Sequence, residues 1–388
     1  MRLANKTISI TFIAWMAFSG ASLTQASHPE CDTRFVQTSG SKVVVAPSAP
    51  IQLDAENLQC ALLLANHRKL PTVALMEGEY DLRQRVEVSG FSGTLTGNTI
   101  ATTHITGCSG SRGGISFKGG SPTVTRMTLD SRGRNCTEQI LVTTSDDACG
   151  GSTTVFVKLD RLLFLSDHYN DDSAFVVAPP ASCVSASQPD TKLLGKVLVN
   201  RVELSGEYDV GAKISMAAGA QVDIFFSDIS GRDAGIQYLN TGSNAQIVSS
   251  TVEATKRYSA AILIQDYPGF RRSANVLNVS SSSIIGYGDG IFQDCSVKCF
   301  VNISDTSITA SFGSPISTTI TGAFRVFDSS IRGDGSIIFY NNSVMANNDI
   351  KVFAIPDIRL LGSGNTINQP DNDVYSPAGS NNLVSSRN

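Results

Sequence analysis

Apolar and polar residues alternate along most of the chain in short stretches, and Gly, Asn, Asp and Ser separate one stretch from the next. Alternation with a period of two predicts strands that bury one face, and the separating residues are those that favour tight turns. Only one segment has helical spacing, with Leu58, Leu62 and Ala65 on one side of a helix. Asp54 precedes these residues, so we expect it to cap a helix that ends near His67. The remainder of the chain is predicted to be β-structure.

The alternating stretches repeat in the second half of the chain, and the repeat is the most informative property of the sequence. Two series of apolar anchors return in step, with a period of about 25 residues. The first series is Val202, Ile229, Val252, Ile284, Ile308 and Ile331, and the second is Ile214, Ile236, Ile262, Ile291 and Ile316. Such a period fits a coil that rises by one strand spacing, ~4.8 Å, in each turn. A β-sandwich does not need the motif to return at this interval, and a propeller blade is longer, roughly 40–50 residues.

Four segments near the N-terminus carry a family resemblance. A helical segment at 58–65 precedes a strand at 72–75, a Gly-Glu-Tyr turn within 77–80 and another strand at 94–97. In this order they resemble the N-terminal part of the pectin-lyase-like superfamily. The resemblance implies an all-β chain folded as a right-handed parallel β-helix (a solenoid) with an N-terminal capping helix. Lyases, hydrolases, epimerases and non-catalytic adhesins share this architecture, so it does not select one activity.

The ends of the chain differ from the repeats in composition. Residues 1–26 combine a basic start, an apolar stretch and small residues at a cleavage site, which predicts a secretory signal peptide. A membrane anchor is the weaker alternative, because the apolar run is shorter than the roughly 20 residues that span a bilayer. We expect a lead-in segment at 27–50, the β-helix domain at 51–368 and a polar C-terminal tail at 369–388.

Composition and charge narrow the class of protein. Hydrophobic residues make up 41% of the chain and charged residues 16%, which excludes a disordered chain and a coiled coil. Without residues 1–26 the chain has 28 basic and 34 acidic residues, a net charge of −6. Such a chain has no reason to bind nucleic acid or to insert into a membrane. We expect a secreted monomer, extracellular or periplasmic, whose partner is a polysaccharide.

Eight cysteines in an exported chain favour disulfide bonds. Their pairing cannot be derived from the sequence, but we expect neighbours in sequence to pair, with Cys295 and Cys299 the most plausible single bridge. A zinc site is the alternative for this spacing, although no second cysteine pair lies at ligand spacing.

The candidate site follows from the resemblance, because family members bind substrate along one face of the coil. The segments that map to this face precede the second series of anchors, at 168–172, 207–209, 231–235, 256–258 and 286–290. Strands of successive coils are stacked, so these segments should form a ladder of acidic, basic and aromatic side chains. The candidate catalytic residues are Arg232, Asp233, Lys256, Arg257, Asp209 and His168, the candidate substrate-binding residues are Tyr169, Tyr208, Tyr258, Tyr287 and Asp289, and the candidate metal ligands are Asp171 and Asp172.

One chemistry that these residues offer is β-elimination at a uronate. It needs a cation on the substrate carboxylate, a base for the C5 proton and an acid for the leaving oxygen. Arg232 could bind the carboxylate in bidentate fashion, and Lys256, Arg257, His168 or a tyrosine could move the proton. The resemblance implies a possible Ca²⁺ ion, for which Asp171, Asp172, Asp209 and Asp233 offer oxygen ligands.

Two other functions remain open. A hydrolase needs paired carboxylates, for which Asp209, Asp233 and Asp289 are the candidates. The Gly-His-Gly signature of polygalacturonase-like hydrolases and the Asp-Pro-His-Asp signature of alginate epimerases are both absent. A non-catalytic glycan-binding or adhesin β-helix would use the same face without chemistry, and any single Asp-Gly pair can serve turn geometry alone. The sequence therefore favours a secreted polysaccharide lyase that cleaves an acidic biofilm-matrix or cell-wall polysaccharide, with the hydrolase and the binding module as alternatives.

Overall fold

The structure is a computed structural model of the chain. It describes residues 31–48, 53–107, 114–134, 136–145, 151–167, 173–180, 183, 192–217, 219–239, 244–265, 275–294, 299–318, 322–327, 329–333 and 337–340, together with four short strands beyond them. The predicted signal peptide, segment 168–172 and Cys295 lie outside the described residues.

The described residues form one helix and 33 strands. In chain order they are β1 (Val36–Ser39), β2 (Lys42–Val45), α1 (Asp54–Arg68), β3 (Thr72–Leu75), β4 (Gly78–Asp81), β5 (Val86–Ser89), β6 (Thr94–Thr96), β7 (Thr103–Thr106), β8 (Ile115–Lys118), β9 (Thr123–Asp130), β10 (Glu138–Thr143), β11 (Ser152–Asp167), β12 (Ser173–Val177), β13 (Lys192–Glu207), β14 (Val210–Ile214), β15 (Gln221–Phe225), β16 (Asp228–Gly231), β17 (Ala234–Leu239), β18 (Asn244–Val248), β19 (Thr251–Ala254), β20 (Ala260–Gln265), β21 (Asn275–Ser280), β22 (Ser283–Gly286), β23 (Asp289–Asp294), β24 (Cys299–Ser304), β25 (Ser307–Ala310), β26 (Ile316–Thr318), β27 (Gly322–Phe327), β28 (Ser330–Gly333), β29 (Ile337–Tyr340), β30 (Ile358–Leu361), β31 (Thr366–Asn368), β32 (Val374–Tyr375) and β33 (Leu383–Ser385).

The strands stack in three parallel sheets that run the length of the coil. Sheet 1 contains β2, β3, β6, β15, β18, β21, β24 and β27, sheet 2 contains β4, β7, β16, β19, β22, β25 and β28, and sheet 3 contains β5, β8, β10, β12, β14, β17, β20, β23, β26, β29, β30 and β32. The long strands β9, β11 and β13 bend and belong to both sheet 1 and sheet 2. From β3 to β29, each coil thus contributes a strand or part of a long bent strand to each sheet, whereas β31 and β33 pair separately. The predicted fold, a right-handed parallel β-helix, is confirmed.

The bend from sheet 1 to sheet 2 places one residue of each of seven successive coils, from β9 to β25, in the left-handed region of backbone space. We call these seven residues the corner row: Arg126, Arg161, Arg201, Phe226, Ser249, Ser281 and Asp305, with φ between 48° and 61°. Residues with a Cβ rarely adopt this conformation. The register of the flanking strands puts each member directly beside the next.

A ladder of buried hydroxyl groups supports this bend in the later coils. It is formed by Ser227, Ser250, Ser282, Thr306 and Ser329, each directly after the bend. The Ser250 hydroxyl donates to the Val248 carbonyl at 2.8 Å and accepts the Ser227 backbone N–H at 3.1 Å. Ser227, Ser282 and Thr306 repeat both bonds in their own coils. The ladder therefore satisfies buried N–H groups that the bend removes from regular strand pairing.

The predicted apolar anchors form the core, and most of them pair with their predicted neighbours. Ile229, Val252, Ile284, Ile308 and Ile331 are in register in sheet 2, and Ile236, Ile262, Ile291 and Ile316 are in register in sheet 3.

In each series, the residue that we predicted as the first anchor lies two residues away from the one that actually pairs with the second anchor. The register in sheet 2 aligns Leu204 with Ile229, whereas Val202 was expected there. In sheet 3, Ala212 pairs with Ile236, whereas Ile214 pairs with Tyr238. A shift of two residues keeps a side chain on the same face of a strand, so the apolar pattern alone could not distinguish the two registers.

The N-terminal end of the coil is closed by α1, and the predicted helix is confirmed. Asp54 does not cap it, however: its carboxylate is buried and accepts hydrogen bonds from the Ser48 N–H at 2.7 Å and the Asp81 N–H at 2.9 Å. The side chain that was expected to cap the helix instead ties the lead-in segment to the first coil. The segment that was expected to form a turn at Tyr80 is strand β4, and the buried Tyr80 hydroxyl supports the cap because it donates to the Val45 carbonyl at 2.8 Å.

The lead-in segment forms an antiparallel hairpin, β1 and β2, whose second strand starts sheet 1. A disulfide between Cys31 and Cys60 fixes it to α1, in line with the expected pairing of neighbours in sequence. Cys136 and Cys183 are disulfide-bonded as well. Within the described part of the chain, no helix is long and apolar enough to cross a membrane.

Candidate functional site

The bend from sheet 2 to sheet 3 brings the predicted site segments together. The Arg232 N–H donates to the Tyr208 carbonyl at 2.5 Å, and the Lys256 N–H donates to the Arg232 carbonyl at 3.0 Å. Asp233 continues the stack, since its N–H donates to the Asp209 carbonyl at 2.7 Å. Segments from three coils, separated by more than 20 residues in sequence, thus lie one above the other at this edge.

A groove of about 490 Å³ follows this edge, and we call it the candidate groove. Its lining residues are Gly206, Glu207, Ser230, Gly231, Arg232, Thr255 and Lys256. Two cations, Arg232 and Lys256, and one carboxylate, Glu207, therefore line one surface depression. Asp233 lies beside it and forms an ion pair with Lys256, with 2.6 Å between Oδ1 and Nζ.

Glycine makes the bend tight enough to form this groove. A Cβ on Gly231 would overlap the Ala234 carbonyl oxygen and the Gly211 backbone nitrogen. Only a residue without a side chain fits between these two backbone segments. Arg232 follows directly, so its side chain starts at the bend itself and lines the groove.

An exposed aromatic cluster lies on the following coils. It consists of Arg257, Tyr258, Tyr287 and Phe312. The Arg257 guanidinium lies 5.4 Å from the ring centre of Tyr258 and 5.5 Å from that of Phe312, and the Tyr287 and Phe312 rings are 4.7 Å apart. Tyr258 is 90% exposed and Phe312 54% exposed, so the cluster presents aromatic faces to solvent. An exposed group of this kind beside a groove is typical of a ligand-binding surface.

Three of the predicted site residues, Tyr208, Asp209 and Asp289, are partly or fully buried and belong neither to the candidate groove nor to the aromatic cluster. Tyr208 is 1% exposed and packs in the core, and Asp209 is buried. Asp289 contacts the next coil, because its Oδ1 accepts the Ser314 N–H at 2.6 Å. Burial raises the pKa of the Asp289 carboxyl, and the hydrogen bond from Ser314 lowers it part of the way. In this position Asp289 holds the following bend in place, which is the role that an Asp-Gly pair at a turn commonly has.

His168, Tyr169, Asp171 and Asp172 lie outside the described residues. In the described part of the chain, no group of three or more His, Cys, Asp and Glu side chains is placed to hold a metal ion. Asp233 directs one carboxylate oxygen to Lys256 instead. The Ca²⁺ ion therefore stays a prediction, and nothing below depends on it.

No family model and no curated protein matches the sequence. Among solved structures, the chain is similar to the catalytic domain of a GH87 α-1,3-glucanase in complex with nigerose, at 10% identity and a TM-score of 0.42, covering 90% of this chain and 67% of that one. It is also similar to the Agl-KA catalytic domain, at 13% identity and a TM-score of 0.40, covering 85% of this chain and 65% of that one. It is similar as well to an A-module of an Azotobacter vinelandii mannuronan C-5 epimerase, at 14% identity and a TM-score of 0.27, covering 86% of this chain and 96% of that one. The chain thus spans about two thirds of the length of the first two structures, and none of the three assigns it an activity.

Sequence reasoning missed two residues of this surface. Glu207 was part of a predicted segment but was not chosen, although its position at the end of β13 places it beside Arg232 in the groove. Phe312 lies one coil beyond the last predicted segment, in the stretch Ser-Phe-Gly-Ser-Pro. A large apolar residue among turn-forming residues was the available signal for an exposed ring.

Proposed function

We propose that this protein is exported, binds an acidic polysaccharide in the candidate groove and cleaves it by β-elimination. The observation that carries the proposal is that Arg232 and Lys256, from two successive coils, line one groove. Their spacing along the stack is about 4.8 Å, so one sugar residue can contact both. The Cys31–Cys60 disulfide supports export, because disulfides persist in oxidising compartments.

In this reaction Arg232 binds the uronate carboxylate through two parallel N–H groups and neutralises its charge. Neutralisation makes the neighbouring C5–H bond more acidic, because the electron pair that the bond releases is stabilised at the carboxylate. Once its ammonium has given a proton to water, Lys256 takes the C5 proton, the C4–C5 double bond forms, and the bond to the leaving oxygen breaks as that oxygen takes a proton from water. Asp233 positions the Lys256 amine over the sugar through their ion pair.

The aromatic cluster extends the binding surface beyond the groove. Tyr258, Tyr287 and Phe312 offer flat apolar faces next to the guanidinium of Arg257. Sugars of the same chain can stack on these rings while their carboxylates approach Arg257. A polymer that runs along the coil axis would therefore contact the groove and the cluster at the same time.

The alternative of a hydrolase with paired aspartates has less support. Such a reaction needs two carboxyl groups on either side of one glycosidic bond. Asp209 is buried, Asp289 binds the Ser314 N–H, and Asp233 is paired with Lys256. A glycan-binding module without catalysis remains the second candidate, and the high exposure of Tyr258 favours it.

The test is to incubate the purified protein with polygalacturonate, alginate and other acidic polysaccharides, following ultraviolet absorbance of unsaturated uronate and, in parallel, new reducing ends. Absorbance that rises together with reducing ends supports the lyase. The Arg232→Gln and Lys256→Gln variants should then lose activity, whereas the matched control Lys192→Gln, an exposed lysine on sheet 1, should keep it. Parallel reactions with EDTA, and with Ca²⁺ restored, test the predicted ion.

Reducing ends without absorbance would overturn β-elimination in favour of hydrolysis. Binding without either product would leave the glycan-binding module. Equal activity of all three variants would show that the chemistry takes place away from the candidate groove.

A further inference from the structure

A second charged surface lies on a different edge of the coil, at the bend from sheet 1 to sheet 2. This surface is formed by the first three residues of the corner row, which are all arginines: Arg126, Arg161 and Arg201. The pairing of Asp160 with both Thr125 and Asn200 puts these arginines in direct register on β9, β11 and β13. Successive arginines are therefore about 4.8 Å apart along the coil axis.

The charges of this row are only partly compensated. Arg161 donates to Asp160 through Nε at 3.0 Å and Nη2 at 2.9 Å, and Asp160 also accepts the Asn200 amide at 2.6 Å. In the described part of the chain, Arg126 and Arg201 have neither a hydrogen bond nor an ion pair through their side chains, and both are exposed. Two uncompensated cations thus flank a third that Asp160 holds in place.

The backbone does not explain the choice of arginine. Glycine, asparagine and aspartate are the residues that this left-handed conformation favours. Three arginines in succession at such positions therefore point to a use of the side chains. The chain as a whole has a net charge of −4, so a general attraction for anions does not explain them either.

The corner row continues beyond the arginines with a different chemistry. Phe226 follows Arg201 in register, and it is 60% exposed. Next comes a groove of about 670 Å³ that is lined by serine, threonine and aspartate residues of three coils, among them Ser249, Ser281 and Asp305. Along one line the surface thus changes from cationic to aromatic and then to hydroxyl-rich, ending at the carboxylate of Asp305. Seven coils of this line measure about 29 Å.

We propose that the corner row is a second binding track, for a segment of an acidic polysaccharide, separate from the candidate groove. Carboxylates of the polymer bind Arg126 and Arg201, one sugar ring stacks on Phe226, and sugar hydroxyls bind the exposed side chains of Ser249, Ser281 and Asp305. A polymer with a phosphate at every unit fits this surface less well, because it would meet Asp305 at the far end. The substrate class rests on the proposed function, but the track needs no catalysis.

The experiment measures binding of polygalacturonate by titration calorimetry at low ionic strength. All proteins carry Arg232→Gln, which removes the arginine of the candidate groove and prevents turnover by the proposed mechanism. The test variant adds Arg126→Gln and Arg201→Gln. The matched control adds Lys42→Gln and Arg68→Gln, two exposed cations at the N-terminal cap, and so has the same net charge.

We expect the test variant to bind at least about tenfold more weakly, because charge-assisted hydrogen bonds to carboxylates are lost, and its binding to depend less on salt. The control should stay within about twofold of the parent, since exposed charges away from a ligand are screened. Arg126→Lys with Arg201→Lys should restore part of the affinity, and Phe226→Ser should weaken binding without any change of charge.

Equal losses in the test and control variants would overturn the track, and so would an unchanged affinity of the Phe226→Ser variant. Single-stranded DNA serves as a second ligand. If it binds as tightly as polygalacturonate and the test variant loses the same affinity for it, the corner row binds polyanions in general and the assignment to a polysaccharide is overturned. These outcomes do not depend on cleavage. If the protein binds through the corner row but cleaves nothing, the binding track stands and the proposed lyase activity is wrong. If it cleaves the polymer but Arg126 and Arg201 have no effect on binding, the lyase stands and the binding track is wrong.

Discussion

The Lys256 amine lies 2.6 Å from the Asp233 carboxylate, although 23 residues separate the two in sequence. Stacking of β16 on β19 places their following bends side by side, with Gly231 in register with Ala254. Both side chains are nearly half exposed, at 44% and 47%, so water screens the pair. Its contribution to the free energy of unfolding should stay below about 1 kcal/mol. What the pair fixes is the position of the amine at the edge of the groove.

This relationship predicts the behaviour of Asp233→Asn. The temperature of unfolding should stay within about 2 °C, because the pair is exposed. In the proposed lyase kcat should fall by about tenfold or more, since a misplaced proton-transfer group loses its alignment, while KM changes little. Steady-state kinetics over a range of pH, with thermal unfolding in parallel, checks both. A KM that rises with kcat unchanged would show that Asp233 binds substrate and does not position Lys256.

The aromatic cluster should contribute to affinity and not to stability. Replacing Tyr258 or Phe312 with Ala removes rings that are exposed in the folded protein, so unfolding should hardly change. The Kd for an acidic oligosaccharide should rise by roughly five- to tenfold for each ring lost, equivalent to about 1 kcal/mol. Phe156→Ala is the matched control, because Phe156 is 57% exposed on sheet 1. Affinity lost equally in this control would argue against the cluster.

Stability should depend on pH through Asp289. Burial raises the pKa of its carboxyl above the ordinary value of 3.8, so the folded protein binds this proton more tightly than the unfolded chain does. The folded state therefore gains most from this group below pH 3.8, and that gain is lost as the pH rises through the raised pKa. Asp289→Asn, which keeps an oxygen for the Ser314 N–H, should raise the unfolding temperature at neutral pH. The gain should disappear at acidic pH, and a gain that is constant with pH would contradict this origin.

The hydroxyl ladder predicts a contrast between two neighbouring serines. Ser250→Ala leaves the buried Ser227 N–H without an acceptor, which should cost about 1–3 kcal/mol. Ser249→Gly should be neutral or slightly stabilising, because Ser249 is exposed and has φ of 50°. Chemical denaturation of both variants measures the difference. Equal effects would mean that the ladder does not hold the bend.

The fold could be predicted from the sequence because each coil repeats the same physical requirement. Ile229, Val252 and Ile284 must face one interior, and their return at a common interval shows that the interior is continuous. The helix at the N-terminus was also predictable, since its apolar side is distinct. The role of Asp54 could not be predicted, because its hydrogen-bond partners Ser48 and Asp81 lie outside the helix and only the folded chain brings them close to it.

The candidate site could be predicted only as a set of segments. Arg232, Asp233 and Lys256 do lie together, because the stacking that aligns the anchors also aligns the bends. The sequence could not tell which carboxylates turn inward. Asp209 precedes β14 as Asp233 precedes β17, and Asp289 begins β23, yet Asp209 is buried and Asp289 binds the next coil. These differences depend on one or two residues of loop length, to which a periodic pattern is insensitive.

The members of the corner row are between 23 and 40 residues apart in sequence, yet they are adjacent in space. The left-handed bend and the flanking strands fix each coil locally, so the chain between two bends can vary in length without displacing either. Insertions and deletions during evolution can therefore accumulate in the connecting loops while the spacing of the side chains along this edge stays constant. A surface of this kind can change its specificity through single substitutions at the bends, one coil at a time, without any change in the architecture that presents them.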